Sequence, residues 1–506
     1  MRLLRRNALG VYAVYAAAIV SGLVVTPIVI HSIGTPAFGV WSFIGAVTIY
    51  LSVLDLGVGP SIVRFAAEAR GRKSVGDLNA VASTGLAMYA AIGIATLPLG
   101  VVIAWFVPWA SGTPHHLVWD ARVATLLVVL SLAARFPLGL FNNLLVAQQR
   151  WDLQNLSAFV GTVLYATLVV LLMPRYGGLV LLAALTLGTS LVRMMLPLLW
   201  LRRELPELRV RRRFATRERL RELLVFSWSN FLVHVAQKIV FSTDVIVVGI
   251  VLGATAAGVY GVPAKLFALA FGIGTALTSL MFPAFAELEG AGASERQRKL
   301  LLSGLRAGTA LMLLLALPLL LMPDLLIHAW IQRPGYHDSY AVMSILAAVL
   351  LIHQPIYVLT QFLIARARQR EVALVSIATT VANLVLSFVL ASVWDIRGVA
   401  VSTLVTDALA LAYILPRYAA PAAGTAPLVL VRAIARPALP ALVAAAAILV
   451  VLARAWHPDT LLALVPLGLL WTVVAAALVW RFGLTSDERA RVGLELRRNR
   501  PAAAEL

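Results

Sequence analysis

The sequence contains no cysteine, so it builds no disulfide framework, no thiolate metal site and no cysteine nucleophile. It is also poor in charge: 13% of its 506 residues are Asp, Glu, Lys or Arg, against 61% hydrophobic, with a mean hydropathy of +0.90. A soluble fold of this size cannot bury that much apolar surface, so the bilayer is its expected solvent. Carboxylates are scarcer still, 23 against 42 Lys and Arg, for a net charge of +19. Such an excess suits a nucleic-acid binder only if the basic residues cluster suitably, and here they lie between hydrophobic runs. No Walker sequence, metal-spaced histidine cluster or nucleophile elbow is present, so nothing argues for ATP hydrolysis or for an enzyme.

What is abundant is the long apolar run. A spanning helix needs roughly 20 apolar residues, and that ruler places spans at 8–31, 38–66, 80–107, 122–147, 156–173, 178–200, 222–250, 259–286, 300–323, 340–365, 371–393, 398–417, 433–454 and 461–481. The first run follows Arg2, Arg5 and Arg6 and is too long for a signal h-region, so it reads as a retained helix. With both termini placed in the cytoplasm, 31 basic residues fall on inward segments and 5 on outward loops. That split obeys the positive-inside rule and explains the charge without nucleic acid. The expected location is a bacterial inner membrane.

An internal repeat organises these spans. At an offset of 219, Gly34-x-x-x-x-Gly39-Val40-Trp41 aligns with Gly253-x-x-x-x-Gly258-Val259-Tyr260, and Glu68 and Gly71 align with Glu287 and Gly290. At 218, Pro137, Leu145, Ala147 and Arg150 fall on Pro355, Leu363, Ala365 and Arg368. The expected fold is an all-α polytopic membrane protein of about fourteen helices. Its parts are an N-terminal six-helix bundle (1–201), a basic cytoplasmic linker (202–221), a C-terminal six-helix bundle (222–417), two extra helices (418–481) and a cytoplasmic tail (482–506). Both halves start from the cytoplasm, so the pseudo-axis should run along the membrane normal, with substrate between the halves near mid-membrane. The basic stretch from Arg209 to Arg221 is expected to be an interfacial helix on anionic lipid.

Ionisable residues at membrane depth are costly and mark candidate sites. On the seventh span, Ser227, Asn230, His234, Gln237, Phe241 and Asp244 share one face, with Lys238 at its edge. This face reads either as polar packing against a neighbour or as a cavity wall. The fourth span carries Ser131, Arg135, Asn142 and Gln149 on one stripe, and its repeat counterpart presents His353, Tyr357 and Thr360. Arg135 and His353 match in the repeat, and a cation in each half suits a diphosphate head group. The alternative for Arg135 is a structural pair with Asp55 or Asp407. Lys265 is a further candidate, either paired with Asp244 or acting separately. Arg193 lines the cavity or snorkels, Arg64 is expected to pair with Glu68 four residues on, and Arg306 to snorkel. Asp55, Asp244 and Asp407 are the candidates for ion coupling.

The run from Ile33 to Trp41, with Leu54-Asp55-Leu56-Gly57-Val58-Gly59-Pro60-Ser61-Ile62-Val63-Arg64-Phe65 and the span ending Ala147-Gln148-Gln149-Arg150, resembles the polysaccharide flippases of O-antigen and exopolysaccharide pathways. These belong to the multidrug/oligosaccharidyl-lipid/polysaccharide exporter superfamily. The resemblance implies two six-helix bundles in a V, a cationic central cavity for a polyprenyl-diphosphate oligosaccharide, a lateral opening for its tail, and alternating access. It implies no cofactor beyond a possible proton or other ion gradient, and it makes the polymerase and glycosyltransferases of such a pathway the natural partners.

Three rivals remain. A lipid-linked peptidoglycan-precursor flippase would bind the same diphosphate and is poorly separated by sequence. A multidrug or cation antiporter fits less well, because the first span carries no carboxylate. A membrane glycan polymerase or glycosyltransferase needs a sizeable outward domain, whereas the longest outward connections, near 108–121 and 324–339, are short. His115, His116, Asp120, Asp324, His328 and Asp338 lie there and read as solvated or interfacial residues.

Overall fold

The computed structural model describes residues 2–238, 243–279, 281–436, 446, 451, 460–478 and 481, and among these every regular element is helical. The chain forms two compact units, 1–261 and 262–506. The first holds α1 (Arg2–Leu51), α2 (Val58–Gly71), α3 (Val75–Ala110), α4 (Val118–Ala147), α5 (Trp151–Tyr176), α6 (Leu179–Glu204), α7 (Arg217–Lys238) and the start of α8 (Thr243–Ser279). The second holds the rest of α8 with α9 (Met281–Gly290), α10 (Ser294–Leu321), α11 (Pro323–Ile331), α12 (His337–Ala365), α13 (Gln369–Ile414), α14 (Pro427–Ala435) and α15 (Leu461–Leu478). Of the thirteenth expected span, 433–454, most lies outside the described residues.

Nine stretches among the described residues are long and apolar enough to cross a membrane. Three of them are longer than one crossing needs and contain a break: Gly34 in α1, Gly253 in α8, and Trp394–Asp395 in α13. The expected boundaries between spans at 31–38, 250–259 and 393–398 each contain one of these non-helical breaks, where one helix ends and the next begins. The second expected span, 38–66, is interrupted as well. A single 3₁₀ turn, Ser52–Asp55, ends in Leu56 (φ 51°) and Gly57 (φ 74°), both left-handed, before α2 starts. Outward apolar groups such as Val101, Val102, Trp105 and Phe106 on α3 are exposed, a surface suited to lipid tails.

The repeat is written in the backbone. Gly34 and Gly253 share φ near 85° with ψ of 164° and 175°. At the same offset Lys73 and Gly292 both have positive φ, and at 218 so do Gln149 with Ala367 and Gly177 with Asp395. In each repeat the breaks fall at equivalent places. Gly39 and Gly258 have a second duty, since both lie in the first unit and α1 and α8 cross there backbone to backbone. A methyl group on Gly39 would stand 1.7 Å from the Ala254 carbonyl oxygen, and one on Gly258 would stand 2.4 Å from that of Thr35.

Packing within the first unit places α4 against α3 and α6, and α1 against α5. Its core centres on the fully buried Ile62, Leu140, Leu144 and Leu145. The resemblance-bearing run explains itself here: Ser61 hydrogen-bonds Ser227 of α7 at 2.9 Å, and Ile62 fills the space left by Gly85, where a methyl would come within 2.9 Å of its Cδ1.

The basic segment is not the interfacial helix expected for Arg209 to Arg221. It runs extended at Arg211, makes one 3₁₀ turn at Arg212–Phe214, and becomes helical only at Arg217. The reason is its period of two. Leu208 and Val210 pack on the core while Arg209 and Arg211 point outward, and the backbone N–H groups of those arginines donate to Asn79 Oδ1 at 2.7 Å and Ser83 Oγ at 3.1 Å. Arg219 then pairs with Asp77 at 2.5 Å and with Glu222 at 2.8 Å.

Candidate functional site

The stripe predicted on α4 opens onto a cavity of about 270 Å³ inside the first unit. Ser131, Arg135 and Asn142 line it, and Arg193 of α6 faces them. Gln149, the last member of the stripe, sits instead in the left-handed turn after α4. Arg193 therefore lines the cavity rather than snorkelling. Its stem lies on α5 at Gly161, where a methyl group would stand 2.8 Å from Arg193 Cβ.

The two guanidinium groups are close enough to repel each other, and neither forms an ion pair among the described residues. Within the first unit, Arg135 forms no ion pair with Asp55 among the described residues. Around the arginines stand neutral hydrogen-bonding groups: Gln154 and Ser157 from α5, Thr186 and Ser190 from α6. The Gln154 Oε1 is buried with no hydrogen-bond partner. Among the described residues no carboxylate lines the cavity. Both arginines are exposed at the mouth of the recess, where two neighbouring like charges repel unless an anion joins them, and guanidinium groups bind phosphate oxygens in bidentate fashion.

Asp55 belongs to a neighbouring cluster in the same unit. Its carboxylate hydrogen-bonds the Tyr89 hydroxyl, which also accepts from Asn143 Nδ2 at 3.1 Å. All three converge on Gly59, where a methyl would lie 3.1 to 3.5 Å from them, so this glycine makes room for a polar group.

The other candidates take separate places. Arg64 does not pair with Glu68; Glu68 binds Arg72, and the Arg64 guanidinium stacks 4.4 Å from the Phe226 ring centre and 5.3 Å from that of Phe65. The aromatic faces of α2 and α7 outcompete an exposed i, i+4 pair worth little. On α7, Ser227 is buried packing. The side chains of Asn230, His234, Gln237 and Lys238, and all of Phe241, lie outside the described residues. Asp244 accepts a hydrogen bond from Tyr260 at 2.8 Å. Lys265 is exposed in the second unit. His353 and Asp407, expected in different roles, meet: Asp407 Oδ2 accepts from His353 Nδ1 at 2.8 Å.

Sequence reasoning missed Gln154, Ser157, Thr186 and Ser190. The signal was present on α6, where Thr186, Ser190 and Arg193 recur at i, i+4 and i+7, one face of a helix. No group of three His, Cys, Asp or Glu suited to a metal occurs among the described residues.

Comparison with known proteins follows the same lines. The family described as "Polysaccharide biosynthesis protein" matches residues 4–289. Among solved structures, the chain is similar to the lipid II flippase MurJ in an inward closed conformation, with TM-score 0.70 and 13% identity, over 94% of this chain and 99% of that one. It is similar to an inward-facing multidrug resistance MATE family transporter of the MOP superfamily, with TM-score 0.67 and 15% identity, over 79% and 92%. It is also similar to the MATE multidrug transporter DinF-BH in complex with R6G, with TM-score 0.57 and 15% identity, over 82% and 95%. At these identities the likeness is one of fold. No curated protein matches at a significant level.

Proposed function

Because the chain belongs to the polysaccharide biosynthesis protein family and has the fold of MOP-superfamily flippases and transporters, we propose that it flips polyprenyl-diphosphate-linked oligosaccharide from the inner to the outer leaflet of a bacterial inner membrane. Alternating access carries the lipid across, and no covalent chemistry is involved. The single observation behind this reading is the Arg135–Arg193 cavity, two uncompensated cations amid amide and hydroxyl groups with no carboxylate in the lining. The arginines hold the diphosphate while Asn142, Gln154, Thr186 and Ser190 meet sugar hydroxyls.

The distribution of basic residues supports cytoplasmic termini, and the exposed arginines 209 and 211–213 suit anionic lipids. Polymerases and glycosyltransferases acting on the same lipid-linked glycan are the partners that this substrate implies.

A second reading has its own support: the fold of MurJ, a lipid II flippase, matches almost the whole chain, so a peptidoglycan precursor is the alternative cargo. Calorimetry with a short-chain prenyl-diphosphate sugar tests the site. Each arginine's charge-assisted hydrogen bonds contribute about 1.5–3 kcal/mol, so Arg193→Ala weakens binding at least about tenfold. Gly161→Val, which displaces the Arg193 stem, weakens it as well. Undiminished binding in both variants, or preference for an organic cation, overturns the assignment.

A further inference from the structure

The polar lining of the arginine cavity belongs to one repeat only. At the offset of 218, Gln154 and Ser157 of α5 fall on Val372 and Val375, and Thr186, Ser190 and Arg193 of α6 fall on Leu404, Ala408 and Leu411. Val372 lies in a core of the second unit, with Val375 and Leu411 packed on it. Helices of the same repeat therefore pack with apolar groups at these places, so packing does not demand polar ones in the first unit.

Hydrogen bonding gives the cavity two unlike sides. Thr48, Ser157 and Thr186 line it, and each donates its hydroxyl hydrogen to a carbonyl of its own helix: Ile44 at 2.7 Å, Gln154 at 2.7 Å and Leu182 at 2.9 Å. What these hydroxyls have left to offer is lone pairs. Gln154 and Ser157 are three residues apart and share a face of α5. There the Gln154 Oε1 is buried without a hydrogen-bond partner, an acceptor whose lost hydration nothing in the chain replaces. The donors stand on the other side, where Asn142 and Ser190 accompany the arginines.

We propose that Gln154 selects lipid diphosphates whose first sugar carries an acetamido group, by accepting a hydrogen bond from its N–H. The inference rests on the reading that the arginines hold the diphosphate, and it narrows the class of sugar which that reading leaves open. At about 270 Å³ the cavity is at the small end of ligand pockets, so it takes the one ring next to the diphosphate. Depth follows the same order, since the charges lie at the mouth while Ser157 is 3% exposed. An amide nitrogen brings one hydrogen and no lone pair that needs a donor. A hydroxyl in its place brings two lone pairs and sets them against the Ser157 oxygen. The acetamido carbonyl in turn accepts from Asn142 or Ser190. A sugar without the N–H leaves Oε1 buried and unpaired, and a site built in this way rejects the analogue that lacks the group.

Calorimetry on the full-length protein in detergent tests this with three short-chain prenyl-diphosphate monosaccharides. At the carbon next to the anomeric centre they carry an acetamido, an acetoxy or a hydroxyl group. The acetoxy form keeps the shape and the carbonyl of the acetamido form and lacks only its N–H. Wild type should bind the acetamido form at least about tenfold more tightly than either of the others, and in Gln154→Met the gap between acetamido and acetoxy forms should close. Equal binding of the acetamido form and either of the others by wild type overturns the proposal, a result that needs no variant. A gap that persists in Gln154→Met overturns it as well. Prenyl diphosphate without a sugar distinguishes the two levels of failure. If wild type does not bind it, the diphosphate reading of the cavity fails and the role of Gln154 with it; if wild type binds it and shows no preference among the sugars, the role of Gln154 alone fails.

Discussion

Gly39 and Gly258, equivalent positions of the two repeats, meet each other where α1 crosses α8: a methyl on Gly39 would stand 2.8 Å from the Gly258 nitrogen as well as 1.7 Å from the Ala254 carbonyl oxygen. Backbone on both sides of this crossing leaves nothing flexible to yield. Gly39→Ala is therefore expected to destabilise the protein by about 1–3 kcal/mol or more, seen as a lower Tm in detergent. Gly45→Ala is the control, since a methyl there meets nothing within 4 Å, and better helix propensity should leave Tm unchanged or raised. Equal Tm values for the two variants would contradict the crossing.

Asp395 adopts φ 51°, ψ −144°, close to a region that glycine alone occupies comfortably, and its repeat counterpart is a glycine, Gly177. Asp395→Gly should relieve about 1 kcal/mol of strain and raise Tm, whereas Gly177→Ala should lower it. A fall in Tm for Asp395→Gly would show that the carboxylate stabilises the start of the following helix more than the backbone strains it.

The extended basic strap is held through two side-chain acceptors, Asn79 and Ser83. Removing both, at about 1 kcal/mol per hydrogen bond, favours local opening by on the order of thirtyfold. Limited trypsinolysis at the arginines 209–213 should accelerate correspondingly in the Asn79→Ala, Ser83→Ala double variant, because cleavage follows the open population. An unchanged cleavage rate would mean that packing of Leu208 and Val210 alone holds the strap.

Twelve spans, the repeat and the α4 stripe were legible in the sequence because apolar runs and helical spacing are local signals. The breaks within α1 and α8 are legible twice, as the span boundaries at 31–38 and 250–259 and as the aligned glycines Gly34 and Gly253. The strap, by contrast, misled. Its arginine density suggests a helix on lipid, yet its alternation of Leu208, Arg209, Val210 and Arg211 has the period of an extended chain. Partners distant in sequence were the least accessible: that Arg64 would choose Phe226 over Glu68, and His353 Asp407, depends on which helices become neighbours. The face Thr186, Ser190, Arg193 on α6 is readable by its spacing, but hydroxyls are common in membrane helices and do not mark a site as charges do.

The most direct test of flipping by the arginine cavity uses wild type, Arg135→Ala and Arg193→Ala in proteoliposomes containing a labelled polyprenyl-diphosphate oligosaccharide, with exposure to an external glycosidase followed in time. Wild type should expose the inner-leaflet lipid, and each variant should do so at least about tenfold more slowly, in line with 1.5–3 kcal/mol for charge-assisted hydrogen bonds. Exposure at the wild-type rate in both variants would contradict the account of the site, and no exposure by wild type would contradict the account of the function.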